Sequence, residues 1–460
     1  MRLISILSVI IVPLVLTLLA HLGLGLSFRQ DLSFFVFLSF ITGTLIYWER
    51  RLAFAFIGVF FLLIFQVLDI PNLLHFANLD VILFLIGMMI VIGFLEERKF
   101  FEILVERILE QVQGSAWRLI SMMLILAALS AALVDEVTSI LFMSAVMFHI
   151  TERFELDPAP FLIMLVFATN IGSSMTVVGN PIGVLIALRA GFTFIDFIRW
   201  VTPISLVGLA FCILLCFWFF ARPIKSLNHK MGKSIKGKIE ENHISRRNFR
   251  ISLYLFLGVI GGLILHHQLE KWLYLEKNTL LVGIALIGGA IALFLEGEKA
   301  RNLVEKKVEW WTLAFFLLLF ASVGTLHYVG ITSLLAQKVV DLTGGNQNLL
   351  LIILTWSVGI LSAFLDNVLA VATFIPIIQD LAKTGISIHY LWWGILLGGT
   401  FLGNLTLIGS TANIVVLGLL EKRGHKVTFW EWFKPGFVVA VSTLVLATFL
   451  LIIESWLWPR

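Results

Sequence analysis

The chain has 460 residues, of which 59% are hydrophobic and 13% charged, with a formal net charge of +4 and a mean hydropathy of +1.00. Soluble globular domains carry charge on about a quarter of their residues, so this composition excludes one and defines an integral membrane protein. The basic excess is assigned to cytoplasmic loops rather than to a nucleic-acid surface, because no basic, aromatic-laced domain stands outside the apolar runs.

In chain order the expected spans are 3–26, 32–48, 52–69, 79–95, 160–189, 201–221, 251–270, 279–296, 310–328, 388–420 and 435–457. A spanning helix needs about 20 apolar residues, whereas barrel strands would show short alternating segments. The fold class is therefore all-α, with about 11 transmembrane helices. The first run starts at Arg2 as a signal peptide would, but it lacks a small-residue cleavage pattern and leads into further spans. It is read as a retained first helix.

Two apolar stretches remain, 119–151 and 348–382. The first contains "LVDEVTSIL", with Asp135 and Glu136 as its only formal charges; the second contains "FLDNVLAVA" around Asp366. As a hairpin turning at Asp135, the first has arms of about 15 residues, or about 22 Å. That is too short to cross about 30 Å of hydrocarbon. With both stretches read as re-entrant and the N-terminus inside, 25 of the 33 Lys and Arg residues fall on the cytoplasmic side; as single spans they would leave 16 there. The positive-inside rule selects the hairpins. It also puts the C-terminus outside, in a protein expected in the cytoplasmic membrane.

The two halves repeat. "LSAALVDEVTSI" (129–140) parallels "LSAFLDNVLAV" (361–371), "TVVGNPIGV" (176–184) parallels "TLIGSTANI" (406–414), and "TFIDFI" (193–198) parallels "TFWEWF" (428–433). Asp135 to Gly179 is 44 residues and Asp366 to Gly409 is 43. Each repeat holds five spans and one hairpin, and an odd number of spans inverts the second copy, the plan of secondary transporters. The expected organisation is an extra span in 1–31, a first repeat in 32–221 (hairpin 119–151, broken helix 160–189), a basic cytoplasmic linker in 222–250, and a second repeat in 251–460 (hairpin 348–382, broken helix 388–420). The charged stretch 96–115 is expected to lie along the cytoplasmic surface as an amphipathic helix, with a counterpart outside near 331–343.

Other features read as ordinary. Tryptophans gather at run ends (Trp310, Trp311, Trp392, Trp393, Trp430, Trp432, Trp456, Trp458) and are taken as headgroup-boundary anchors. Cys212 and Cys216 share a helical face and are taken as packing residues. His149, His266, His267 and His327 near span ends are taken as interface residues.

Chemistry concentrates where the two long spans break. "TNIGSSMTVVGNP" from Thr169 and "GGTFLGNLTLIGSTAN" from Gly398 hold too much Gly, Ser, Thr, Asn and Pro for continuous helix. Unwound backbone survives at bilayer depth only where protein or a watery cavity satisfies it. The candidate site is accordingly Asp135, Glu136, Asn170, Ser173, Ser174, Asn180, Asp366, Asn367, Asn404, Ser410, Thr411 and Asn413. Asp135 and Asp366 can cap the returning arms of the hairpins, but serine or asparagine would do that without the roughly 2.5–3.5 kcal/mol cost of a carboxylate at the bilayer centre. Glu136, one position on, is expected to point away from Asp135. A Na+ ion is expected at Asp135, Asp366, Asn180 and Asn413. No nucleotide loop, nucleophile elbow or paired metal-ligand spacing occurs, so no enzymatic reaction and no cofactor is expected.

At these motifs the chain resembles the ion transporter superfamily, closest to its arsenite permease, sodium/proton antiporter and pigment-cell P protein branch, with the divalent-anion/sodium symporters more distant. The resemblance rests on "LVDEVTSIL", "NIGSSMTVVGNP", "FLDNVLAVATFIPI" and "LIGSTANIVVLGLLEKRGH" and covers the chain after the first span. It implies two inverted repeats with re-entrant hairpins and unwound fifth and tenth helices, and homodimers in many members. Two departures stand out. The branch often has Asp-Asn where this chain has Asp135-Glu136, and Gly-Asp-Pro-Pro-Asn where it has Gly179-Asn180-Pro181-Ile182-Gly183. Glu136 is the expected replacement for the acid missing from the fifth helix. The function expected is a proton- or sodium-coupled secondary transporter for a small ion or metalloid, by cation/proton antiport or arsenite-type efflux. A sodium-coupled carboxylate or other anion carrier is the alternative, and an ion channel a third.

Overall fold

A computed structural model describes residues 2–101, 103, 115–233 and 246–458. Every regular element among them is helical. The helices are α1 (Arg2–Leu24), α2 (Phe28–Ile46), α3 (Arg51–Ile64), α4 (Ile70–Phe76), α5 (Leu79–Glu97), α6 (Ala116–Leu133), α7 (Glu136–Arg153), α8 (Ala159–Gly172), α9 (Pro181–Ala190), α10 (Phe194–Trp200) and α11 (Thr202–Phe219). There follow α12 (Ala221–Lys233), α13 (Arg246–Leu273), α14 (Thr279–Glu296), α15 (Ala300–Lys307), α16 (Trp310–Tyr328), α17 (Ile331–Thr343), α18 (Gln347–Phe364), α19 (Asn367–Ala382), α20 (His389–Phe401), α21 (Thr411–Lys422) and α22 (Phe429–Leu457). Nine helices among the described residues are long and apolar enough to cross a membrane, or ten if the bent pair α9–α10 counts as one. The chain is a multi-pass membrane protein.

The expected spans map onto this order with one correction. The run 52–69 does not stay helical: α3 stops at Ile64, Gln66 turns the chain at φ 55°, and Asp69 caps the short α4 by accepting from Asn72 N at 2.8 Å. At 1.5 Å per residue, the 14 residues of α3 reach about 21 Å. Both long spans expected to be interrupted are interrupted, between Gly172 and Pro181 and between Phe401 and Thr411. The surface helix expected over 96–115 and the middle of the linker fall mostly outside the described residues. Its counterpart is present as α17.

The chain forms two compact units. The first comprises residues 1–83, 309–353 and 372–392. Here α1 lies on α2, α2 on α3, and α16 on α3 and α4. Phe40 packs against Phe315 (centroids 5.6 Å apart), and Gln30 donates to Val329 O at 2.9 Å. The end of α19 is fixed to the start of α17 by Asp380, a carboxylate with 2% side-chain exposure. It accepts from Thr332 Oγ1 (2.6 Å), Ser333 Oγ (3.0 Å) and Lys383 Nζ (2.6 Å), with His327 Nδ1 at 3.2 Å. His327 is thus a partner of a buried acid rather than a simple interface residue. His266, also expected at an interface, is fully buried in the second unit with Nδ1 2.7 Å from Leu263 O.

The second unit comprises 84–308, 354–371 and 393–460. It contains a helical hairpin in which α6 and α7 pack together and against α8. Ser139 Oγ lies 2.6 Å from Ser130 Oγ and donates to Ala127 O at 3.0 Å, which zips the arms near the turn. Both ends of the hairpin meet α12. Asn228 accepts from Ala116 N at 2.9 Å, and Lys230, two residues on, donates to Phe154 O at 2.7 Å and Glu155 O at 3.0 Å. Both ends of the segment 119–151 therefore meet the same helix.

Candidate transport site

Four helix starts gather the sequence's polar motifs in the second unit, and each is capped by an expected site residue. Asp135 accepts from Val137 N and Thr138 N at 2.8 Å at the start of α7. Asp366 accepts from Val368 N (2.9 Å) before α19, Asn180 from Gly183 N (2.7 Å) before α9, and Ser410 from Ala412 N (3.1 Å) before α21. A cap satisfies amides that a helix cannot pair internally.

Corresponding motifs in the two halves share several contacts. Thr176 Oγ1 donates to Ala132 O and Thr406 Oγ1 to Ala363 O, so each unwound segment is tied to the hairpin 43 or 44 residues before it. Gly179 and Gly409 each lie so close to a carbonyl, Ser173 O and Gly403 O respectively, that a Cβ would collide with backbone. Thr193 with Asp196 and Thr428 with Glu431 form the same reciprocal capping box.

Between the capped ends lies one polar cluster. Glu136 is 2% exposed and Asn367 1%. Asn367 Nδ2 donates to Glu136 Oε1 at 3.1 Å, and Ser410 Oγ stands 3.3 Å from the same oxygen and 3.0 Å from Asn170 Oδ1. Asn170 Nδ2 donates to Asn404 Oδ1 (2.7 Å) and Asn413 Oδ1 (2.9 Å). Asn413 Nδ2 donates to Gly403 O and Thr406 O, and Asn404 Nδ2 to Phe167 O. Asp366, buried beside this group, accepts from Thr411 Oγ1 at 2.9 Å.

Amide donors of this cluster are thus consumed internally, while Asn367 Oδ1 is a buried acceptor without a hydrogen-bond partner. One unused acceptor beside two carboxylates suits a cation or a proton better than an anion.

Glu136, at the first position of α7, points at Asn367 and Ser410. Ser174 is not in the cluster, since it bonds Ile171 O and Ser205 Oγ (2.7 Å) on α11. Of the residues expected to hold Na+, Asn180 donates to Ser173 Oγ (3.0 Å) and accepts from Gly183 N, Asn413 bonds Asn170 and Gly403, Asp366 accepts from Thr411 Oγ1, and Asp135 is half-buried at its cap. Among the described residues no three His, Cys, Asp or Glu side chains converge to hold a metal ion.

Trp432 is the residue that sequence reading missed. It is fully buried rather than anchored at a boundary, and its Nε1 donates to Asn404 O at 3.1 Å. Its place in "TFWEWF", matching buried Phe197 in "TFIDFI", was the available signal. Trp393 is likewise fully buried. Beside the start of α22 lies a cavity of about 520 Å³, lined among others by Asp157, Ile163, Phe220, Lys426, Trp430 and Lys434. Its Asp157 faces His425 at 3.3 Å and its Glu431 closes the Thr428 cap. Lys426 and Lys434 pair with no acid among the described residues.

A helical hairpin, two interrupted helices and a buried acidic cluster are the parts of a membrane transporter of the secondary type, and comparison with known proteins agrees. The chain belongs to the citrate transporter family CitMHS, matching it over residues 35–398 and again over 323–460. It is 33% identical over 391 residues to a 46 kDa membrane protein of Mycobacterium leprae, covering 83% of this chain and 86% of that one. It is also 26% identical over 466 residues to the human P protein, covering 84% of this chain and 55% of that one. Among solved structures it shares the fold of the Alcanivorax borkumensis YdaH transporter, with a TM-score of 0.58 at 16% identity over 85% of this chain and 88% of that one. These relationships place it in the ion transporter superfamily, as the sequence motifs implied.

Proposed function

We propose that the chain couples transport of a small solute to a monovalent cation, H+ or Na+, held at the cluster around Glu136, Asp366, Asn367 and Ser410, by alternating access between the two inverted repeats. The carrying observation is the pairing of two buried carboxylates with an open acceptor, Asn367 Oδ1, and no open amide donor in the cluster. A buried carboxylate is tolerable when protonated or when a cation stands beside it, so occupancy can alternate as the site changes sides. Cation/proton exchange, or efflux of a neutral hydroxide such as arsenous acid against protons, follows most directly from that chemistry.

A second reading, cation-coupled movement of a carboxylate anion, is favoured by the family match and by Lys426 and Lys434 at the cavity. In both, the re-entrant hairpins reach into the bilayer from opposite faces and the N-terminus is cytoplasmic, which the loop charges support. Proteoliposomes with an internal pH-reporting dye, challenged in turn with Na+, Li+, arsenite and citrate, test both readings. The first expects a pH change with Na+, Li+ or arsenite, and the second with citrate only when Na+ or H+ runs down a gradient. Flux independent of every gradient would mark a channel instead.

A further inference from the structure

Ile163, Phe167 and Asn170 follow one another on α8 at steps of four and three residues, which places them on one helical face. Ile163 lines the cavity beside α22, and Asn170 is the hub of the asparagine cluster. Seven residues of helix separate them by about 10 Å. Phe167 stands between them on this face, and its ring meets that of Trp432 edge to face with centroids 5.8 Å apart at 90°. Both are tied to the cluster, Trp432 Nε1 donating to Asn404 O and Phe167 O accepting from Asn404 Nδ2 at 3.3 Å. One turn further along α22, Gly436 lies so near Asn404 O that a Cβ would sit 2.6 Å from it.

The other repeat has a similar device. Phe197, at the position matching Trp432, meets Trp393 edge to face at 5.0 Å and 86°. Phe192 stacks on the same indole at 4.3 Å and 14°. Each aromatic therefore closes on the interrupted helix of the opposite repeat.

We propose that the cavity beside α22 is the aqueous vestibule of the cluster, that Phe167 and Trp432 are the gate between them, and that Phe192, Phe197 and Trp393 form the corresponding gate on the opposite side. The proposal rests on reading the cluster as the transport site. Two rings and one indole hydrogen bond exclude water without involving a helix backbone bond, so a side-chain rotation opens the path.

Thiol labelling in reconstituted full-length protein tests this, with Cys212 and Cys216 replaced by alanine and a reporter at Ile163→Cys or Ala412→Cys. A membrane-impermeant cationic thiosulfonate should label the vestibule reporter readily and the Ala412 reporter, beside the Ser410 cap, slowly. Adding Trp432→Ala should speed the second reaction about tenfold, the equivalent of losing one aromatic contact and its hydrogen bond, and leave the first unchanged. Trp432→Phe keeps a ring but loses the indole bond, should give a smaller acceleration, and decides the matter alone if Trp432→Ala does not assemble. An Ala412 reporter unmoved by the substitution, or an Ile163 reporter that water-borne reagent never reaches, overturns the proposal. Labelling reads access only. A gate that passes this test in a protein whose flux ignores every ion gradient would stand while the coupling reading fell.

Discussion

Asn367 Nδ2 donates to Glu136 Oε1 at 3.1 Å across 231 residues of sequence, joining the start of α19 to the start of α7. Each residue is the first of its helix, directly after a capping aspartate. The aspartates satisfy the helix ends, which leaves the next position free to reach across. A buried acidic residue there is expensive unless it is protonated or paired with a cation, which is why the proposed coupling site is centred on it.

Removing the hydroxyls of Thr176 and Thr406 tests the equivalence of the repeats. Each ties an unwound segment to a buried hairpin carbonyl, and Thr→Val keeps the side-chain shape while orphaning that acceptor. Each substitution should destabilise the detergent-solubilised protein by about 1–3 kcal/mol. Similar shifts in thermal unfolding are expected for the two, and a shift confined to one would mean the repeats are tied differently.

Asn170 and Ser174 lie four residues apart and should behave oppositely. Asn170→Ala deprives Asn404 Oδ1 and Asn413 Oδ1 of their shared donor, each loss costing about 1–3 kcal/mol, and should reduce flux at least tenfold. Ser174→Ala removes a bond to Ser205 outside the cluster and should leave flux close to the parent's. Flux assays on the two variants side by side decide it.

Asp380 holds the end of α19 through donors from α17 and from Lys383. Asp380→Ala strands those donors and should cost about 3 kcal/mol, whereas Lys383→Ala, which removes an exposed partner, should cost about 1 kcal/mol or less. Thermal unfolding midpoints measure both, and equal losses would contradict the anchoring role.

Much of this was readable in the chain because membrane spans, caps and helix breaks are local. Both interrupted helices followed from Gly, Pro and Asn where continuous helix is costly. What escaped depends on direction rather than residue type. Helical position alone could not show that Glu136 faces inward while Ser174 faces α11, because every side of these helices is flanked by apolar chain. Trp432 was hidden by a true generality: indoles do favour the headgroup boundary, but this one spends its N–H on Asn404 O. The end of α3 at Ile64 was masked by apolar residues that continue past the turn.

The central claim is that Glu136 holds the coupling ion, and the direct measurement is gradient-driven flux by Glu136→Gln in proteoliposomes. The amide keeps the size and the reach toward Asn367 and Ser410 but can neither take up a proton nor neutralise a cation. The expected result is that imposed H+ or Na+ gradients no longer accelerate flux, which falls to its gradient-free rate. A variant that responds to those gradients as strongly as the parent would contradict the account.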